Sequence, residues 1–211
     1  MTKIRQRYRI RFRKLGDLRL ISHRDLVRTW ERTFRRAELE LSMSEGFHPK
    51  ARMSFPSALA LGVEALDEVM ELELAEHITA SALEEKLRAH APPGLEVAQI
   101  TILDANNAKA QVERLTYEFP LPEHRRAEVA AAMDHLISLD TYLVDREGRS
   151  DRIDLRPGIH SLEVHEDRLR MVLNTSRTAT VRPREVLTAL GIGDLEGEGC
   201  YLTRTAVEIA S

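Results

Sequence analysis

Hydrophobic periods of two and of 3.6 residues alternate along the 211-residue chain in the order β-α-β-β-α-β, break at a polar stretch, and then begin again. These observations predict an α+β fold of two tandem domains, residues 1–104 and 105–211, the first with a basic surface. The repeated order is that of the split βαβ, or ferredoxin-like, arrangement: an antiparallel sheet with two helices on one face.

Tyr8, Ile10 and Phe12 alternate with Arg7, Arg9, Arg11 and Arg13, the pattern of a strand with one buried and one basic face. Residues 14–17 read as a turn, and Ser22-His23-Arg24-Asp25 as a capping box that starts a helix over residues 23–37. Leu26, Val27, Trp30 and Phe34 share one helix face, while Arg24, Arg28, Arg32, Arg35 and Arg36 recur elsewhere at spacings near four. A short strand over 39–43 and an exposed loop, Ser44-Glu45-Gly46-Phe47-His48-Pro49-Lys50, come next. A kinked extended stretch over 53–55 and 59–63 leads to an alternating strand over 69–74. Residues 79–84 open a second helix, Pro92-Pro93-Gly94 stops it, and a strand follows over 95–103. Polar residues 104–109 mark the domain boundary.

The second round predicts a strand over 112–119, an amphipathic helix over 123–139, and a strand over 142–144 that ends before Glu147-Gly148. Strands are expected over 153–157, 161–164 and 169–173, a short helix over 183–190 with Pro183 in its first turn, and a final strand over 201–209. The repeat is one of element order and not of residues.

The composition, 43% hydrophobic, 31% charged and 5% aromatic, excludes wholesale disorder. No apolar run approaches the roughly 18 to 20 residues that cross a bilayer, and Met1-Thr2-Lys3-Ile4-Arg5-Gln6-Arg7 lacks a signal peptide's apolar core, so a cytoplasmic protein is expected. The single cysteine, Cys200, is expected to be a packed or surface thiol, since it makes no internal disulfide and supplies no zinc or cluster site alone. The net charge of −3 hides an asymmetry: residues 1–55 carry fifteen Lys or Arg and six Asp or Glu, a net +9, and the remainder carries −12. Such a block attracts phosphates, or is neutralised by the acidic remainder.

Gly16-Asp17-Leu18-Arg19-Leu20-Ile21-Ser22-His23-Arg24-Asp25-Leu26, Glu31-Arg32-Thr33-Phe34-Arg35-Arg36-Ala37, the loop from Ser44 to Lys50, and Ala60-Leu61-Gly62-Val63-Glu64 carry a resemblance. Together they are similar to the radical-SAM-linked protein family, a domain of unknown function found beside or fused to radical-SAM enzymes. Ile153-Asp154-Leu155-Arg156-Pro157 and Arg204-Thr205-Ala206 resemble its later motifs. The resemblance implies a bacterial, stand-alone accessory that binds no cofactor itself. A separate radical-SAM enzyme would carry the iron–sulfur cluster and S-adenosylmethionine, because one cysteine falls short of the three-cysteine cluster motif.

No convincing catalytic centre is legible, so the chain is expected to be an accessory and not an enzyme. Ser22, His23 and Asp25 are adjacent at a helix start and point in different directions, unlike a triad. His23 and His48 are the weak catalytic candidates, as an acid–base pair if the helix start and the loop converge on one phosphate; this is the metal-independent endoribonuclease reading. His160, Glu163 and His165 lack strong ligand spacing, so no metal is expected. Arginine favours bidentate phosphate contacts, and Phe47 beside basic residues suits either stacking on an unpaired base or plugging the core beneath the loop. Arg24, Arg28, Arg32, Arg35, Arg36, Phe47, His48, Lys50 and Arg52 are therefore the expected RNA-binding residues, for tRNA or rRNA and not DNA. The alternatives are a solvated helix face paired with Glu31, Glu38 or Glu40, and a protein-interaction adaptor.

Overall fold

The computed structural model describes residues 5–104, 107–146, 148, 150–175 and 181–210 and is a mixed α+β protein whose strands pair mostly antiparallel. It divides into two compact units, Met1–Gln111 and Val112–Ser211. Residues 1–4, residues 105 and 106 of the polar stretch, and Glu147 lie outside the described residues.

In the first unit, β1 (Gln6–Lys14), α1 (His23–Arg36), β2 (Met53–Ser54), β3 (Glu64–Leu74), α2 (Ala80–His90) and β4 (Leu95–Leu103) follow one another. Its sheet order is β4-β1-β3-β2. Ile10 of β1 lies opposite Met70 of β3 and Ile100 of β4, so the apolar parity of each strand meets that of its neighbours. Tyr8, Ile10, Phe12, Met70 and Leu72 join Leu26, Trp30 and Phe34 of α1 and Leu83 and Leu87 of α2 in one core. The aromatic part is built edge to face: Phe12 stands 5.1 Å from Trp30 and 6.2 Å from Phe55, and Trp30 stacks on Phe34 at 5.4 Å.

The second unit comprises β5 (Val112–Pro120), α3 (Arg126–Ser138), β6 (Leu143–Val144), β7 (Ile153–Asp154), β8 (Ile159–His165), β9 (Arg168–Asn174), α4 (Pro183–Ala189) and β10 (Thr203–Ile209). Its main sheet runs β10-β5-β9-β8, while β6 and β7 pair separately as a small hairpin.

Several elements depart from the sequence reading for local reasons. Residues 39–43 form no strand; Leu41 and Met43 make isolated bridges to Leu74 and Ala51. The expected extension over 59–63 is a turn, because Gly62 sits at φ +81°, where glycine alone is unstrained. β3 begins at Glu64 and not at Val69, since β1 reaches it as far as Lys14 opposite Ala65. The expected strand over 153–157 stops at Asp154, whose Oδ1 accepts from the Tyr142 and Arg156 amides and turns the chain into a 3-10 turn. The helix expected from Glu123 starts as a 3-10 turn and becomes α-helical at Arg126, and the last strand starts at Thr203 and not at Tyr201.

Candidate nucleic-acid interface

The basic strand face is neutralised by acids of the neighbouring strands, one of the two outcomes that the charge asymmetry allowed. Arg7 and Arg9 both bind Glu71, at 3.1 and 2.9 Å, Arg11 binds Asp67 at 2.6 Å, and Arg13 approaches Glu96 at 3.6 Å. Glu71 is buried and also accepts from the Ala110 amide, so its charge is taken up by two guanidiniums and an N–H. Cross-strand register causes this: Arg9 lies opposite Glu71, and Arg11 opposite Val69 beside Asp67. Residues 56–111 carry three basic and ten acidic residues, which brings the first unit from +9 to +2.

Helix α1 keeps its cations. Ser22 caps it by accepting from the Asp25 amide at 3.2 Å. The Asp25 carboxylate takes the Ser22 hydroxyl at 2.7 Å, where the capping box expects the Ser22 amide. That hydroxyl, with Arg28 and Arg24 alongside, holds the Asp25 carboxyl below its ordinary pKa against the opposing effect of burial. The buried stripe is Leu26, Thr29, Trp30, Thr33 and Phe34, with Val27 only half-buried. The two threonines bury their hydroxyls at no polar loss, because each donates to the carbonyl four residues back.

Opposite that stripe, Arg24, Arg28, Arg32, Arg35 and Arg36 are all exposed. Arg28 meets Asp25 at 3.3 Å and Arg32 donates to Thr29, whereas the guanidiniums of Arg24, Arg35 and Arg36 make no hydrogen bond or ion pair among the described residues. Glu31, Glu38 and Glu40 pair with none of them there. From Arg24 to Arg36 the row spans about 18 Å at 1.5 Å per residue.

The loop from 44 to 50 is the tip of a hairpin. The Ser44 amide donates to the Lys50 carbonyl at 2.8 Å, the Lys50 amide to the Ser44 hydroxyl at 2.9 Å, and the Arg52 amide to the Ser42 carbonyl at 2.8 Å. Glu73 of β3 anchors the base by accepting from Ser42 Oγ at 2.7 Å, with Arg5 and Arg52 beside it. At the tip Gly46 has φ +127°, His48 and Lys50 are exposed, and Phe47 is fully exposed at 102% of its reference area.

The two histidine candidates differ in surroundings. His23 packs edge-on against Phe55 at 5.2 Å and is half-buried, whereas His48 stands exposed on the hairpin. No hydrogen bond or ion pair among the described residues joins the arginines of α1 to the hairpin. In the second unit Glu163 pairs with Arg170, His160 lies 3.4 Å from Arg114, and no three potential ligands are grouped among the described residues. Cys200 is a half-buried free thiol.

Two buried cations were missed as structural centres. Lys14 is wholly buried and its ammonium donates to the Arg19 and Ile21 carbonyls, each at 3.2 Å, closing the 3-10 turn Gly16–Leu20. Its parity with Tyr8, Ile10 and Phe12 was the available signal. Arg204 is buried with its guanidinium on the Tyr117 hydroxyl at 2.9 and 3.1 Å. Two motif segments also meet: the Gly16 amide donates to Glu64, and the Gly62 amide to the Arg19 carbonyl.

Fold and site together define an α+β protein with antiparallel sheets and a cationic first helix. The chain belongs to DUF2344, a family described as an uncharacterized protein conserved in bacteria, which matches residues 7–183. No curated protein matches the chain. Among solved structures it is similar to one titled as an unknown protein from Galdieria sulphuraria, at 12% identity and a TM-score of 0.32, covering 99% of this chain and 100% of that one. No helix among the described residues is long and apolar enough to cross a membrane.

Proposed function

We propose that this protein binds structured RNA, tRNA or rRNA, through the outer face of α1, and works in the cytoplasm as a non-catalytic accessory to a separate radical-SAM enzyme. The observation that carries the RNA reading is the exposed arginine row in which Arg24, Arg35 and Arg36 form no ion pair among the described residues, Arg35 and Arg36 having no acid alongside. Unpaired guanidiniums spaced along a helix offer bidentate contacts to successive phosphates, and binding releases the counterions condensed on the RNA. The cross-strand pairing of Arg7, Arg9 and Arg11 leaves α1 as the main cationic surface of the first unit.

The radical-SAM association rests on the motif resemblance. The donor set of this chain does not fit a cluster held by three cysteines, so the cluster and its S-adenosylmethionine belong to the partner in this reading. Each unit is read as a ferredoxin-like domain, supported by the sheet orders β4-β1-β3-β2 and β10-β5-β9-β8, which place fourth, first, third and second strands alike.

The test is binding of the purified chain to total small RNA over a salt series, beside a variant with Arg28, Arg32, Arg35 and Arg36 all changed to Glu. Four phosphate contacts give a slope of log affinity on log salt of roughly −3. A discrete retained RNA with such a slope, lost in the variant, supports the reading. Binding no stronger than that of a generic polyanion sinks it and favours a protein adaptor.

A further inference from the structure

We infer that the 42–52 hairpin is a stacking platform for an unpaired nucleobase, so that the RNA recognised carries a single-stranded loop, bulge or end next to the segment held by α1. The inference rests on the RNA reading of α1 and adds a second, chemically different contact to it.

The hairpin is rigid at its base and open at its tip. Backbone bonds between Ser42 and Arg52 and between Ser44 and Lys50, together with the anchor on Glu73, fix both strands. The tip turns through Gly46, at a backbone angle that a side chain would strain. This frame holds out the ring of Phe47, which buries none of its own area. Holding a phenyl ring in water gives up the burial that usually stabilises such a side chain, and a fixed hairpin gives up the chance to fold it away.

The surroundings of the ring select its occupant. Met43, at 41%, is the other large apolar side chain exposed on the hairpin, so the tip presents a single ring and not the broad apolar patch of a protein-docking surface. Lys50 and His48 flank Phe47, and the one acid of the tip, Glu45, lies 3.8 Å from Arg5. An exposed aromatic ring with an imidazole and an ammonium within three residues matches a base on its phosphodiester: the ring stacks on the base while the ammonium meets the phosphate.

The experiment compares fluorescence anisotropy on two labelled RNAs that share one stem, one blunt-ended and one with a single-stranded overhang. The proteins are wild type, Phe47→Ala, Phe47→Trp and Arg35→Glu/Arg36→Glu. The expected result is a wild-type preference for the overhang RNA. Phe47→Ala loses that preference, roughly 5- to 150-fold for one stacked base, with blunt-stem affinity unchanged, and Phe47→Trp restores it. Arg35→Glu/Arg36→Glu weakens both RNAs. If Phe47→Ala binds the overhang RNA as wild type does, or loses both RNAs alike, the platform is refuted while the α1 reading stands on the arginine variant. If wild type binds neither RNA above a polyanion control, both readings fail together, and a lone exposed ring then points to a pocket on a protein partner.

Discussion

The first and second units each set an antiparallel sheet in the order fourth, first, third, second strand, yet they place their arginines in opposite ways. In the first, α1 exposes five arginines, three of them with guanidiniums that make no ion pair or hydrogen bond among the described residues. In the second, arginine is mostly structural. Arg146 meets Glu185 at 2.6 Å, Arg184 meets Glu196 at 2.7 Å, Arg125 bridges Asp194 and Glu128, and Arg114 meets Glu208 at 2.8 Å. The two helices after the first strands differ likewise: α1 has five basic residues among fourteen, while α3 begins with Arg126 and continues through an alanine-rich stretch. Similar strand order therefore says little about surface chemistry, which depends on whether an acid lies within reach of each guanidinium.

Core substitutions set the largest effects on that contrast. Trp30→Ala removes the ring that Phe12 and Phe34 both contact, and is expected to cost about 3 to 5 kcal/mol in urea unfolding. A smaller cost would mean that the arginine face of α1 rests on a looser support than the contacts indicate. In the second unit, Glu185→Ala removes the carboxylate that the nearly buried Arg146 meets and the acceptor of the Arg182 amide, a loss of about 3 kcal/mol.

Glu185 also sets a pH dependence. Burial raises its pKa, but the Arg146 hydrogen bonds and the Arg182 amide outweigh burial and leave it below the ordinary 4.5. A depressed folded pKa contributes stability that is complete above the unfolded value and lost as pH falls through the lower folded one. The stability gap between wild type and Glu185→Gln is thus expected to be full at pH 7 and to narrow below pH 4.5. A gap constant from pH 7 to pH 3 would show that the ion pair contributes nothing beyond packing.

Charge reversal sharpens the contrast directly. The fourfold α1 variant is expected to lose about a hundredfold in RNA affinity at moderate salt, whereas Arg168→Glu/Arg170→Glu in the second unit, where Glu118 and Glu163 already face those arginines, changes it by less than about twofold. Equal losses would erase the distinction between the units. The smallest expected effect is Arg28→Ala on stability, below about 0.5 kcal/mol by thermal unfolding, because its pair with Asp25 is exposed.

Much of the fold was legible where periodicity and punctuation agreed. The β4 bounds, the start of α1 after Ser22 and the arginine spacing along α1 follow from local pattern alone. The turn that replaces the expected extension over 59–63 was not legible, because it is held by a hydrogen bond from the Gly62 amide to the Arg19 carbonyl, more than forty residues away. At the candidate site, the loop pattern allowed Phe47 either to stand exposed or to plug the core, and the structure leaves it exposed; His23 packs against Phe55, a partner no local pattern reveals.

The sequence by itself determined which helix is amphipathic, which residues line its basic side, and that one cysteine excludes a three-cysteine cluster on this chain, because these depend on residue identity and local spacing. Only the tertiary structure decided that Arg7, Arg9 and Arg11 of β1 meet acids across the sheet while Arg35 and Arg36 of α1 meet none among the described residues. A guanidinium's fate depends on the acid opposite it, and strand register brings Asp67 and Glu71 to β1 from more than fifty residues away, a distance over which one-dimensional charge counts carry no geometry.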